Sequence, residues 1–397
     1  MDALLYLLIG WILAVLVAWI DGANNAGNSV GVLIGARGLS PKKALVVAAL
    51  LDFLGAVLAG EHVSKTVARG IVNPSAVSSP RLVALGFILV LASTAAWMLA
   101  ATLARVPISV SQATIGGLVG FGLVAGGLGA VNWAVASGVI ASWLLTPLAS
   151  MAVTLLLYKA YSRLRDEYGA LGAAAFTVLG SFLACFVTLF LALEKVLGAW
   201  MGSLASLSAA LLVAVLGFFL VTASSLRVEE RQCTRSFLLV VSASMAFVHG
   251  ANDIASSAGP LAALYSALLG EPLESSELEL PPVLLLTTSA ALSAGIVMWG
   301  VRVAETIGAG ITPLTPETGF VSMLGASVTM GLIVRLGVPS STTLAVVGAV
   351  AGVGLARGVE YLNSRSLARI SSMWIIGFPA TLSLSALLTW LAKSLAA

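Results

Sequence analysis

This chain has little charge: Asp, Glu, Lys and Arg make up only 9% of its 397 residues, against roughly 25% in a soluble globular domain. So few ionic groups cannot clothe a water-facing surface, which excludes an ordinary soluble fold. Cysteine and histidine are equally scarce, two of each. Cys185 lies in an apolar run and Cys233 in a loop far from it, so neither a disulfide framework nor a Cys-based metal motif is indicated. His62 and His249 are as widely separated, which argues against a His-based metal site; His249 reads instead as a hydrogen-bonding neighbour of the polar stretch that follows it. The 20 basic residues give a net charge of +3 and a pI near 9.0. They are spread among loops and form no patch, so nucleic-acid binding is excluded. The start, Met1-Asp2-Ala3-Leu4, lacks the basic region of a cleaved signal peptide and is expected to belong to the mature protein.

What the chain has in abundance is apolar sequence: 59% hydrophobic residues and a mean hydropathy of +1.06. Each membrane crossing takes about 20 such residues. Apolar runs fall at 3–36, 43–60, 82–103, 110–128, 133–157, 170–192, 204–222, 236–268, 283–301, 318–334, 339–356 and 371–392. The expected fold is an all-α polytopic membrane protein of about twelve segments joined by short loops, with no stretch left over for a soluble domain. Pro107 and Pro339 each open a Gly-rich segment able to dip into the bilayer and return as a re-entrant hairpin.

Two of these runs carry a polar interruption: Asp21-Gly22-Ala23-Asn24-Asn25-Ala26-Gly27-Asn28-Ser29, and His249-Gly250-Ala251-Asn252-Asp253-Ile254-Ala255-Ser256-Ser257. An unsatisfied amide or carboxylate at hydrocarbon depth costs several kcal/mol. The two stretches are therefore expected to break their helices around a buried ion site.

They also belong to a duplication. Gly22-Ala23-Asn24-Asn25 returns as Gly250-Ala251-Asn252-Asp253, and the Gly55 to Thr66 segment returns as Gly295 to Thr306. Pro107-Ile108-Ser109-Val110-Ser111, followed by Gly116 and Gly120, returns as Pro339-Ser340-Ser341-Thr342-Thr343, followed by Gly348 and Gly352. The order is kept, which divides the chain into a first repeat (1–158), a connecting membrane section (159–235) and a second repeat (236–397). Seven crossings between the copies make them inverted. Charge agrees. The loop after the first copy holds Arg37, Lys42 and Lys43, and its counterpart holds Glu271, Glu274, Glu277 and Glu279. Carrying the alternation along the chain places 14 basic residues on the cytoplasmic side and 6 outside, with both termini external. Inverted repeats whose polar breaks meet near the midplane are a plan of secondary transporters.

Within each copy the residue types suggest two kinds of site. Asn24, Asn25 and Asn252 with the carboxylates of Asp21 and Asp253 offer hard oxygen ligands of the kind Na⁺ takes. The alternative is plain packing, in which small and amide residues join helices. The Ser/Thr clusters after Pro107 and Pro339 bring hydroxyls, free N–H groups and a helix N-terminus together, as an anion site requires; the alternative is a pair of ordinary N-caps. If both sites share one cavity, two carboxylates beside a divalent anion repel it by several kcal/mol in a low dielectric, so co-transport with Na⁺ or protons follows from the charge count. Asp52 reads either as a partner of this centre or as a partly solvated acid near a loop.

Four stretches carry a resemblance: Gly22 to Ser29, Gly250 to Asp253, Thr312-Pro313-Leu314-Thr315-Pro316-Glu317-Thr318-Gly319-Phe320 and Gly337-Val338-Pro339-Ser340-Ser341-Thr342-Thr343. Together they resemble the signatures of the inorganic phosphate transporter family over nearly the full length. The resemblance implies sodium- or proton-coupled phosphate uptake, no organic cofactor, an inverted-repeat core and a homodimer in the plasma membrane. It implies that Ser109, Ser111, Gln112, Ser341, Thr342 and Thr343 hold phosphate and that Asp21, Asn24, Asn25, Asn252 and Asp253 surround the cations. The chain departs from the family pattern at Asn25, where Asp is common, at Ile108 and Val110 in the first Ser/Thr cluster, and at Met323, where the animal members often carry a carboxylate. Sulfate permease is the second transporter reading, and hydrogen phosphate is favoured because it has a proton to donate to Asp acceptors. No clustered His, Cys or nucleophile-base pair supports an enzyme, and no extramembrane domain supports a receptor.

Overall fold

The computed structural model describes residues 3–77, 79–225, 230–270, 280–301, 303–304 and 310–396. The loop with Glu271, Glu274, Glu277 and Glu279 lies outside the described residues, as do Arg227, Arg302, Glu305, Thr306 and the side chains of His62, Lys195 and Cys233. Twelve helices organise the description: α1 (Ala3–Gly35), α2 (Pro41–Ala59), α3 (Glu61–Arg69), α4 (Pro80–Leu103), α5 (Val110–Gly126), α6 (Trp133–Ser225), α7 (Glu230–Asp253), α8 (Ala255–Leu269), α9 (Pro282–Trp299), α10 (Pro316–Arg335), α11 (Thr342–Arg357) and α12 (Ser364–Ala396). Among the described residues, extended pairing is limited to one isolated bridge between Val72 and Val131.

Among the described residues, seven helical segments are long and apolar enough to cross a membrane, and Val110–Gly126, Ala205–Val215 and Thr342–Arg357 are shorter apolar helices. The 93 helical residues of α6 would span about 140 Å if straight. They do not run straight. Gly169 takes a left-handed φ of +59°, and the rings of Tyr161 and Phe176, on either side of it, stand 5.5 Å apart. A second reversal brings the Ser206 hydroxyl within 3.3 Å of the Leu193 carbonyl.

One expectation is corrected here. The stretch 21–29 does not break its helix: α1 is continuous over 33 residues, and everything from Asp21 to Leu33 is buried. The stretch holds no proline, so every backbone N–H remains available to the ladder, and its polar side chains find partners on other helices instead. At 249–257 the expected break reduces to a single turn residue, Ile254, which keeps helical angles (φ −54°, ψ −28°) between α7 and α8. Pro260 inside α8 leaves the Ser256 carbonyl without its usual donor four residues on, and the Thr114 hydroxyl reaches that carbonyl at 3.4 Å.

The helices pack through glycines set against backbone. A Cβ added at Gly22 would lie 1.9 Å from the Leu292 carbonyl oxygen, and one at Gly295 would lie 1.9 Å from that of Trp19, so α1 and α9 touch backbone to backbone. The same contact joins α2 to α7, with a Cβ at Gly55 falling 1.8 Å from the Phe247 oxygen and one at Gly250 falling 2.0 Å from the Asp52 oxygen. Likewise Gly116 and Gly120 of α5 rest on the carbonyls of Phe378 and Leu382 in α12, while Gly348 and Gly352 of α11 rest on those of Pro147 and Met151 in α6. Each contact in one half of the chain has its partner in the other, and each helix of a pair comes from the opposite half.

Candidate functional site

The polar residues of α1 and α7 meet two extended stretches, 106–109 and 338–341, that lead into α5 and α11. Pro107 and Pro339 keep these stretches out of the helix that follows. Ser109 and Ser341 then cap the new helices, their hydroxyl oxygens accepting from Gln112 N at 3.2 Å and from Leu344 N at 3.3 Å. The asparagines hold the stretches in place. Asn24 Oδ1 accepts from Ile108 N at 3.0 Å and its Nδ2 donates to the Val106 carbonyl at 3.1 Å. In the second copy Asn252 Oδ1 accepts from Ser340 N at 3.4 Å and its Nδ2 donates to the Ser340 carbonyl at 2.9 Å. The stretches are tied to each other as well, Ser111 donating to the Ser340 carbonyl at 2.5 Å and Thr343 to the Ile108 carbonyl at 3.1 Å.

At the centre lie the acids. Asn25 Nδ2 donates to Asp21 Oδ1 at 2.8 Å and to Asp253 Oδ2 at 3.3 Å, which brings the two carboxylates to opposite sides of one amide. Asp253 also accepts from Asn252 Nδ2 at 2.7 Å and from the Thr342 hydroxyl at 3.1–3.2 Å. Thr343 reaches Asn25 Oδ1 at 3.3 Å. All eleven residues singled out from the sequence are buried, the most exposed being Gln112 at 6%. Ten of them enter this network directly or as its helix caps. The Gln112 side chain instead lies toward α12, where a Cβ on Gly377 would approach its Oε1 to 3.9 Å.

The site contains more than those residues. His249 Nδ1 makes a short contact with Asp52 Oδ1, and its Nε2 lies 3.1 Å from Asp253 Oδ2, off the line of a hydrogen bond. Ser29 donates to the other Asp52 oxygen at 3.1 Å. Asp52 is therefore a partner of the centre, not a loop-side acid. Asn28 donates to both Thr342 and Thr343, at 3.1 and 2.9 Å, while its Oδ1 is a buried acceptor with no hydrogen-bond partner among the described residues. Its helical spacing from Asn24 and Asn25 was the available signal, since three and four residues on a helix share a face.

The Phosphate transporter family model matches residues 21–385, a range that includes both polar stretches and both Ser/Thr clusters. The chain belongs to that family. A Pyrococcus abyssi protein named a phosphate permease is 34% identical, with 98% of each chain covered. An Arabidopsis thaliana protein, inorganic phosphate transporter 2-1, chloroplastic, is 31% identical over 94% of this chain and 70% of its own length. Among solved structures, one described as the sodium-dependent phosphate transporter matches with a TM-score of 0.88 at 32% identity, covering 98% of this chain and 99% of that one. The family is one of transporters, and this member is an integral membrane protein.

Within this family member, the Thr343 hydroxyl joins three partners of the network, Asn25, Asn28 and the Ile108 carbonyl. Thr343→Val keeps the shape but strips a partner from Asn25 Oδ1, Asn28 Nδ2 and the Ile108 carbonyl. Each buried polar group left unmatched costs about 1–3 kcal/mol. Thr343→Val is expected to lower the initial rate of uptake at least tenfold in proteoliposomes, with Thr343→Ser close to wild type; equal rates for the two variants would remove the hydroxyl from the mechanism.

Proposed function

We propose that this protein carries inorganic phosphate across the membrane in symport with Na⁺, by alternating access of two inverted repeats. The observation that carries this reading is the burial of Asp21 and Asp253 around one amide, directly beside the hydroxyls of Thr342 and Thr343. Buried carboxylates are tolerated where a cation or a donor set accompanies them, and a dianion can approach them only with positive charge at hand. The name of the solved neighbour supports sodium in that role.

In this reading Asp21, Asn24, Asn25, Asn252 and Asp253 surround the cations, with Asn28 Oδ1 as a further free acceptor. Ser109, Ser111, Gln112, Ser341, Thr342 and Thr343 hold phosphate through hydroxyl and amide groups, without a fixed Lys or Arg that would retain it. In the structure those hydroxyls are buried and engaged with the protein itself. Binding phosphate therefore means exchanging Thr342–Asp253 and Thr343–Asn25 bonds for bonds to the substrate as the cavity opens. The repeats 1–158 and 236–397, joined by 159–235, supply the two halves that move. The reciprocal packing of α5 on α12 and of α11 on α6 supports this division. We place the protein in the plasma membrane as a homodimer with both termini external.

The test is radiolabelled phosphate uptake into proteoliposomes under an imposed Na⁺ gradient compared with an imposed pH gradient, each with and without excess sulfate. The expected result is accumulation driven by Na⁺ alone and unaffected by sulfate. Accumulation driven by pH alone would transfer the coupling to protons, competition by sulfate would widen the anion class, and equal counts with no gradient would end the symport reading.

A further inference from the structure

We infer that Asn25 sets the number of cations the centre holds, by placing an amide where the duplication would place a carboxylate. This rests on the cation-coupled reading above. Asn24 and Asn252 are equivalents by what they do: each holds one of the extended stretches through an N–H donated to Oδ1 and a carbonyl accepted by Nδ2. Gly22 and Gly250 are equivalents too, each seated on a carbonyl of the facing helix. The next residue in each copy is Asn25 in the first and Asp253 in the second, and these two side chains face each other, Nδ2 to Oδ2, at 3.3 Å.

Asp at position 25, as the second copy has at 253, would therefore set two carboxylates against each other at that distance. A third, Asp21, which stands where the second copy has His249, lies next to the same position from one turn earlier, 2.8 Å from Asn25 Nδ2 in this chain. Three carboxylates so close stay ionised only with positive charge among them. The Asn25 amide does part of that work without an ion. Its Nδ2 touches one oxygen of Asp21 and one of Asp253, and those are the lone pairs a bridging cation would use. Its Oδ1 is held by Thr343, which fixes the direction in which the amide points. The neutral amide thus replaces both a negative charge and the cation that would balance it. The centre takes one monovalent cation fewer than it would with Asp at position 25.

The experiment uses the full-length protein purified in detergent. Its unfolding free energy is followed against the logarithm of NaCl concentration at constant ionic strength with choline chloride, because each ion that binds the folded state alone adds RT to the slope of stability against ln[Na⁺] near saturation. Asn25→Asp is expected to be steeper than wild type by one Na⁺ and Asp253→Asn to be shallower. In proteoliposomes Asn25→Asp is expected to raise the number of Na⁺ moved per phosphate by one. Parallel slopes for wild type and Asn25→Asp, whether or not a new pH dependence arises, overturn the inference. A flat wild type with a newly Na⁺-dependent Asn25→Asp supports the inference and overturns sodium coupling; two flat lines overturn both. If Asn25→Asp does not fold alone, the comparison is made between Asp21→Asn and Asp21→Asn/Asn25→Asp, where the same difference of one ion is expected.

Discussion

Asp253→Asn is expected to reduce phosphate uptake about 100-fold or more while leaving the protein inserted in the membrane. The carboxylate is surrounded by donors on both oxygens: Asn252 Nδ2 and Thr342 Oγ1 on Oδ1, and Asn25 Nδ2 and Thr342 Oγ1 on Oδ2, with His249 Nε2 close by. A carboxamide has the same shape but turns an NH₂ group toward one of these donor sets. Whichever way it is rotated, donor meets donor, and hydrogen bonds to a charged acceptor, worth about 1.5–3 kcal/mol each, are lost. The variant also removes the charge on which cation binding rests. Two effects of this size act on the same step, which places the loss near two orders of magnitude. Initial rates at saturating Na⁺ in proteoliposomes measure it. Asp253→Asn with more than a tenth of wild-type uptake and an unchanged Na⁺ response would show that the carboxylate is a packing group.

The second large effect lies away from the polar centre, at Gly55. A Cβ there would stand 1.8 Å from the Phe247 carbonyl oxygen, 2.7 Å from its carbon and 3.0 Å from its Cα. All three atoms are backbone and cannot rotate aside. Since Gly250 makes the reverse contact with Asp52, any separation of α2 from α7 also draws Asp52 away from His249. Gly55→Ala is therefore expected to destabilise the protein by about 3 kcal/mol, the upper part of the usual range for overpacking, and to abolish uptake. Gly138 is a helical glycine with nothing within 4 Å of an added Cβ; Gly138→Ala is expected to be neutral or slightly stabilising, because alanine is the better helix former. The unfolding midpoint in detergent compares the two. Matching midpoints and matching uptake would mean that the α2–α7 contact is looser than described.

The helical class was legible because it depends on composition. A chain with so few charges must bury its backbone polarity in helices when it enters a bilayer. The duplicated motifs, and with them the residues of the centre, were also legible, since Gly22, Gly55, Gly116 and Gly120 and their counterparts recur in the same order. The break expected at 21–29 was not there, and the reason is local. Polar side chains three and four residues apart share a helix face and find partners without disturbing the ladder, and even Pro260, which removes an N–H, stays inside α8. Asn28 does not stand out when the stretch is taken as a helix break, across which spacing along a helix has no meaning.

By itself the sequence determined that this is a membrane-embedded helical protein, that short motifs recur in the same order in its two halves, and that Asp21, Asn24, Asn25, Asn252, Asp253 and the Ser/Thr clusters are polar groups set within apolar runs. Those conclusions depend on residue type and order alone. Only the tertiary structure decided that Asn25 stands between two carboxylates, that Asp52 reaches His249 from another helix, and that Thr342 and Thr343 join the acids instead of forming a separate site. The physical reason is that a buried polar side chain is specified by the partner that satisfies it, and here the partners come from helices far apart in the chain, brought together by glycines lying on backbone carbonyls.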